Sequence, residues 1–151
     1  MTKKSEIGQL GEDLACECLK KQGYKIIERN FRRPWGEIDI ICQDPDKTLV
    51  FVEVKAIRQF GKLTANNSAE FVNSASELMP EDQLTKSKFQ KLAKTASMYV
   101  GQNEKLIKND KVWRIDLLAL TLRESSGSIL SRAEGLTING KSVDVSHYKN
   151  I

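Results

Sequence analysis

The sequence predicts a mixed α/β domain with a single sheet, built in the order helix, three strands, helix, strand. Three observations predict it. Two segments carry apolar residues at helical spacing, three short runs rich in β-branched residues lie between them, and a further such run follows the second helix. The 151 residues amount to about one domain. Neither an internal repeat nor a Pro/Gly-rich linker divides them.

The first helix is expected over residues 5–22, ending at Gly23. On a helical wheel Ile7, Leu14 and Cys18 fall together, and Ala15, Leu19 and Cys16 extend that side. Glu6, Gln9, Asp13, Glu17 and Lys20 hold the opposite side. Glu12 breaks the pattern, because it sits between Leu19 and Cys16 inside the apolar arc. A carboxylate there either reaches water at the boundary or needs a cation or donor to meet it. Strands follow over 24–28, 37–41 and 49–55, and the turn signal Gln43-Asp44-Pro45-Asp46-Lys47 separates the second from the third. The second helix is expected to begin at Pro80 or later and to run to Val100, with Gly101 as its stop. Its apolar face is Phe89, Leu92, Ala93, Ala96, Tyr99 and Val100. The last clear strand covers 112–120, and the tail beyond it adds more sheet. Residues 59–82 and 123–135 read as polar connections.

Composition excludes several classes. No run approaches the roughly 18 apolar residues of a membrane span, and the first residues lack the apolar stretch of a signal peptide. The three cysteines, Cys16, Cys18 and Cys42, form no paired framework. Reduced thiols in a cytoplasmic protein are the expectation. A net charge of +4 mildly favours an anionic partner.

The chemistry is carried by the hairpin. If its turn centres on Asp46, Asp39 faces Glu53 across the strand pair. Glu53 and Lys55 share one face, together with Leu49 and Phe51. Two carboxylates that close repel unless a cation lies between them, and Lys55 or a divalent ion would serve. Oxygen-only ligands suit Mg²⁺ or Mn²⁺ rather than Zn²⁺. Only one histidine is present, His147, and no Cys/His spacing fits zinc. An acid–x–lysine in a strand is by itself most often a solvated ion pair. Here a second acid, Asp39, and a third, Glu12, point to the same place on a face that is not simply wet.

These residues resemble a known family. Gly11-Glu12 with Ala15, Gly23-Tyr24, Arg29-Asn30, Gly36-Glu37-Ile38-Asp39 and Val50-Phe51-Val52-Glu53-Val54-Lys55 look like the signature of the YraN-like family of predicted bacterial endonucleases. That family is similar to archaeal Holliday junction resolvases and belongs to the PD-(D/E)XK, restriction-endonuclease-like superfamily. The likeness continues through Lys88, Leu92, Ala96, Tyr99, Arg114-Ile115-Asp116, His147 and Asn150. It departs where Ala56 and Ile57 separate Lys55 from Arg58, since the family usually has an arginine two residues after the lysine. Residues 59–82 are also longer than usual. The resemblance implies a restriction-endonuclease-like core of helix, three strands, helix and strand. It implies that Asp39 and Glu53 ligate Mg²⁺ (or Mn²⁺) with the Val54 carbonyl, that Glu12 adds a further acid to the metal, and that Lys55 positions the attacking water and stabilises negative charge. The reaction would be metal-dependent hydrolysis of a DNA phosphodiester.

Lys86, Lys88, Lys91 and Lys94 make the second helix basic, with no acid between Gln83 and Gln102. They read either as a phosphate-contact surface or as a solvated face. Arg29, Arg32, Arg33, Arg58 and Trp35 add basic and stacking groups near the strand pair, and Tyr99 joins the expected nucleic-acid contacts. Trp35 also reads as ordinary loop packing. No sequence-reading motif for duplex DNA is visible, so cutting selective for junctions, flaps or single strands is the expectation. Symmetric junction cutting would need two sites, which a homodimer would supply. A non-catalytic nucleic-acid-binding protein of the same fold is the alternative, and a scaffold whose acids merely pair with lysines is a third.

Overall fold

The computed structural model describes residues 3–60, 62–63, 69–70, 84–107, 112–124, 136–138 and 141–151. Helix α1 (Lys3–Lys21) opens the chain, with Glu6 in its first turn and Lys20 and Lys21 in its last, charges that complement the helix dipole. Gly23, at φ 84°, makes the turn out of it. Strands β1 (Lys25–Arg33), β2 (Gly36–Gln43) and β3 (Leu49–Phe60) follow, then two short strands, β4 (Lys62–Leu63) and β5 (Ala69–Glu70). Helix α2 (Lys86–Gln102) leads through a 3₁₀ turn (Glu104–Leu106) to β6 (Arg114–Glu124), β7 (Leu136–Ile138) and β8 (Lys141–Tyr148).

Six strands form one mixed sheet in the order β1-β2-β3-β6-β8-β7, and β4 pairs with β5 in a separate two-stranded ladder. Among the described strands only the β3–β6 pair is parallel. A parallel neighbour needs a crossover, and α2 lies within that connection. The helix–three strands–helix–strand order is therefore present, and the tail does add sheet, as β7 and β8. Helix α2 begins at Lys86, after Pro80 as expected, where the Thr85 side chain accepts the Lys88 N–H and caps the helix. Two expectations change: the sheet is accompanied by the β4–β5 ladder, and α2 runs through Gly101 to Gln102 instead of stopping there. Residues 71–83 and 125–135 lie outside the described residues.

Each face of the sheet has its own core. Leu14, Ala15, Cys16 and Leu19 of α1 pack on Ile40, Cys42, Val50, Val52, Leu118 and Leu120. Leu92, Ala96 and Tyr99 of α2 pack on Phe31, Ile38, Ile41, Leu49, Phe51 and Ile115. Gly11 lets α1 approach closely, since a Cβ there would lie 2.7 Å from the Ala56 Cβ. On the other face a side chain at Gly36 would run into the Thr95 hydroxyl. The three cysteines are free thiols.

The start of β6 is fastened by a buried polar network. Arg114 donates to Asp44 at 2.6 Å, to Asp116 at 3.0 Å and to the Tyr24 hydroxyl at 3.1 Å. Asp116, fully buried, also accepts the Asn150 N–H at 2.9 Å and lies 2.8 Å from His147 Nε2. Burial pushes the Asp116 carboxyl up, but His147, the Asn150 N–H and Arg114 outweigh it and hold the group below its ordinary value. Asp44 is likewise lowered: burial opposes, and Arg114 with the Thr48 N–H prevails. The network joins the α1–β1 turn, the β2–β3 turn, β6 and the last residues of the chain.

Candidate metal and nucleic-acid site

The β2–β3 hairpin has the register expected from its turn. Gln43 pairs with Leu49, Cys42 with Val50, Ile41 with Phe51 and Ile40 with Val52. Continuing that ladder would put Asp39 opposite Glu53, but the regular pairing stops at Ile40. Beyond it, the Asp39 carboxylate itself accepts the Val54 N–H at 2.7 Å. A side chain thus takes a hydrogen bond at the point where the strands part.

The faces change at the same place. Ile38 belongs to the α2-side core and Ile40 to the α1-side core, although strand alternation would put them together. In β1, Arg29 reaches Asp13 of α1 at 2.6 Å, while Phe31 packs on the α2 side. Between them Asn30 has φ 51°, a left-handed conformation that asparagine tolerates. Both strands turn over side by side, and Asp39 occupies the crossing. The expectation that Asp39 simply shares the Glu53 face is corrected accordingly.

Glu53 and Lys55 stand on the α2 face of β3, continuing Leu49 and Phe51. Lys55 Nζ lies 2.9 Å from Glu53 Oε1, with both side chains mostly shielded from water. Glu12 comes from α1, on the other face, next to the tight Gly11–Ala56 contact. Its Oε2 is buried without a hydrogen-bond partner, so the boundary reading, in which the carboxylate simply reaches water, does not hold for that oxygen. Asp39 feels all three neighbours. Burial and then the Glu53 charge raise its carboxyl to about 7, the Val54 N–H opposes this, the Glu12 charge adds to it and Lys55 lowers it.

The donor set is all oxygen, which fits a hard divalent cation. Asp39 and Glu53, whose charges act on each other, are the acids such an ion would relieve, and the orphaned Glu12 oxygen has capacity to spare. Among the described residues, however, no three His, Cys, Asp or Glu side chains are already gathered as a ligand cage. Lys55 occupies Glu53 instead. Asp39 thus feels the charges of two further acids, while Lys55 is paired with one of them, Glu53.

A cleft of about 210 Å³ opens over this face. Glu53 and Lys55 line it from the sheet and Lys88 and Lys91 from the helix, together with Gly36 and Leu84. Lys86 stands beside the cleft rather than in it and lines an adjoining hollow with Leu84, Phe89, Leu117 and Ile151. Sequence reasoning missed that hollow, because it assigned Phe89 wholly to the core. Arg33 lies over the Phe31 ring at 4.3 Å, and Arg32 is exposed, 3.8 Å from Glu37. Trp35 is 36% exposed at the tip of the β1–β2 hairpin, rather than packed away. Arg58 lies on β3, and its side chain is outside the described residues. Tyr99 is a correction: it is buried between the Phe31 and Phe51 rings, 5.1 and 5.7 Å away, and offers no surface to a nucleic acid.

The family model described as "Uncharacterised protein family UPF0102" matches residues 11–120, a span that holds Glu12, Asp39, Glu53 and Lys55. The chain is similar to a UPF0102 protein of Campylobacter concisus, 37% identical over 75% of this chain and 81% of the relative. It is similar to one of Flavobacterium johnsoniae, 36% identical over 80% and 85%. A third, from Fervidobacterium nodosum, is 32% identical over 95% and 79%.

Proposed function

The chain belongs to the uncharacterised protein family UPF0102, and on that premise and the geometry above we propose that it is a metal-dependent endonuclease of restriction-endonuclease-like fold, hydrolysing DNA phosphodiester bonds. One observation carries the reading. Asp39 sits where β2 and β3 part with its carboxyl raised to about 7 by burial and by the charges of Glu53 and Glu12, a Glu12 oxygen is buried without a partner, and Lys55 pairs with Glu53. A purely structural cluster gains nothing from such an imbalance.

Asp39, Glu53 and Glu12, with the Val54 carbonyl, would hold Mg²⁺ or Mn²⁺. When bound, the ion supplies positive charge to a water and to the phosphoryl oxygen. Lys55, relieved of Glu53, lends its charge to the negative charge that develops on the phosphoryl group. Lys88 and Lys91 hold the strand by its phosphates in the cleft. Lys86, Arg32, Arg33 and Arg58 add longer-range attraction. No described helix is long and apolar enough to cross a membrane, and a cytoplasmic place of action is part of the proposal. So is selectivity for branched, junction or single-stranded DNA, with a homodimer supplying two sites where both strands of a junction are cut.

The test is a panel of branched, flapped, single-stranded and duplex substrates with Mg²⁺, Mn²⁺ or EDTA. Metal-dependent cleavage that Asp39→Asn and Lys55→Ala abolish is the expected result. Equal cleavage by Asp39→Asn would sink the mechanism. Tight binding with no cleavage under any condition would favour a nucleic-acid-binding protein that does not cut.

A further inference from the structure

We propose that the hollow beside Phe89 holds a nucleobase of the bound strand, so that this site takes unpaired nucleotides and rejects intact duplex. The inference rests on the nuclease reading for the identity of the strand, and on the structure for the pocket. The hollow measures about 370 Å³, within the range of small-ligand sites, and Leu84, Phe89, Leu117 and Ile151 give it apolar walls with Lys86 beside them. It adjoins the acidic and lysine-lined cleft, because Leu84 borders both. The floors also meet, since Glu53 and Leu117 are paired neighbours on β3 and β6.

Helix α2 divides its side chains between the two spaces. Lys88 and Lys91, three residues apart and so on one stripe, line the cleft. Lys86 and Phe89, also three apart, line the hollow. A ligand filling both must be anionic at one point and flat and apolar at the next, with the two parts joined. A nucleotide within a strand has that form: its phosphate meets Lys88 and Lys91, and its base meets Phe89. An apolar peptide would leave the lysines unused. A base stacked inside a duplex cannot enter a concave pocket without leaving its stack, whereas an unpaired base enters freely. Phe89 is partly buried against the α2-side core, which holds its ring in place.

The experiment is fluorescence anisotropy in EDTA with an oligothymidylate, an abasic strand of the same length and phosphate count, and a duplex. Base–aromatic stacking corresponds to roughly 5- to 150-fold in affinity. Wild type is expected to bind the thymidylate at least about fivefold tighter than the abasic strand. Phe89→Leu, which keeps the site apolar and the core filled, should lose most of that preference and bind the abasic strand unchanged. Lys88→Ala should weaken both strands equally. Equal wild-type affinity for thymidylate and abasic strands, or equal losses on both in Phe89→Leu, would overturn the proposal. Adding Mn²⁺ separates the two ideas. Cleavage without any base preference removes the pocket and leaves the nuclease, while a base preference without cleavage of any substrate removes the nuclease and leaves the pocket.

Discussion

Replacing Asp39 by asparagine should stabilise the metal-free protein, and by an amount that depends on pH. The carboxyl is raised from an ordinary 3.8 to about 7, first by burial and then by the Glu53 charge. Between those values the folded chain keeps a proton that the unfolded chain has released, so stability falls as pH rises from about 4 to about 7 and is flat above. At about 1.4 kcal/mol per pH unit, the full penalty is about 4 kcal/mol. Asparagine has nearly the same shape and can still accept the Val54 N–H that Asp39 accepts at 2.7 Å. That bond becomes neutral and weaker by about 1 kcal/mol. The net gain is therefore about 2–3 kcal/mol at pH 8, or about 5–10 °C in Tm for a chain of this size. At pH 4 the gain should vanish, because the wild-type carboxyl is then protonated too. The assay is a set of thermal melts in EDTA from pH 4 to 9. Adding Mg²⁺ or Mn²⁺ at pH 8 should raise the wild-type Tm and close most of the gap, since the ion binds only the folded site. A variant no more stable than wild type at pH 8, or a gap that does not change with pH, would refute the reasoning.

Three further outcomes follow from the packing and the charges. Gly11→Ala sets a methyl 2.7 Å from Ala56, which should cost about 1–3 kcal/mol in a denaturant melt, and pairing it with Ala56→Gly should restore most of the loss. Arg114→Met strands the buried Asp44 and Asp116 carboxylates and should cost about 3–5 kcal/mol at neutral pH. Both acids are held below their ordinary values, so the stability they add is present above about pH 4 and lost as pH falls through their folded values, and Arg114→Met should flatten that acid limb. Replacing Lys88 and Lys91 together by alanine should weaken DNA binding alike for all sequences and reduce the salt slope by about two, measured by titration across ionic strength.

How much was legible depended on how local the signal was. The hairpin register followed from one turn, and Ile40 does pair with Val52 as that turn requires. The apolar arc of α1 was legible for the same reason, as was the oddity of Glu12 within it. Alternation failed at Asp39, because the strands turn over beside Asn30, and a positive φ in one strand leaves no mark on the other. Tyr99 was misread because a face shared with exposed lysines says nothing of the two rings that enclose it. The Arg114 network was visible only as separate residues, since Tyr24, Asp44, Asp116 and His147 come from four stretches of chain that local pattern cannot bring together.

The parallel β3–β6 ladder has a consequence for how the chain reaches its fold. Every rung joins residues more than sixty positions apart, from Val50 with Arg114 to Phe60 with Glu124, whereas the hairpin that carries Asp39 and Glu53 closes over a few residues. Local hairpins form in microseconds, while distant parallel pairing waits on the closure of a long loop. The acids are therefore assembled early and by their own turn, before the strand that will flank Glu53 arrives. Loop closure grows only logarithmically with length, so doubling the crossover adds about 0.6 kcal/mol. Insertions between β3 and α2 can accumulate there, slowing the search for β6 slightly and leaving the spacing of the carboxylates unaltered.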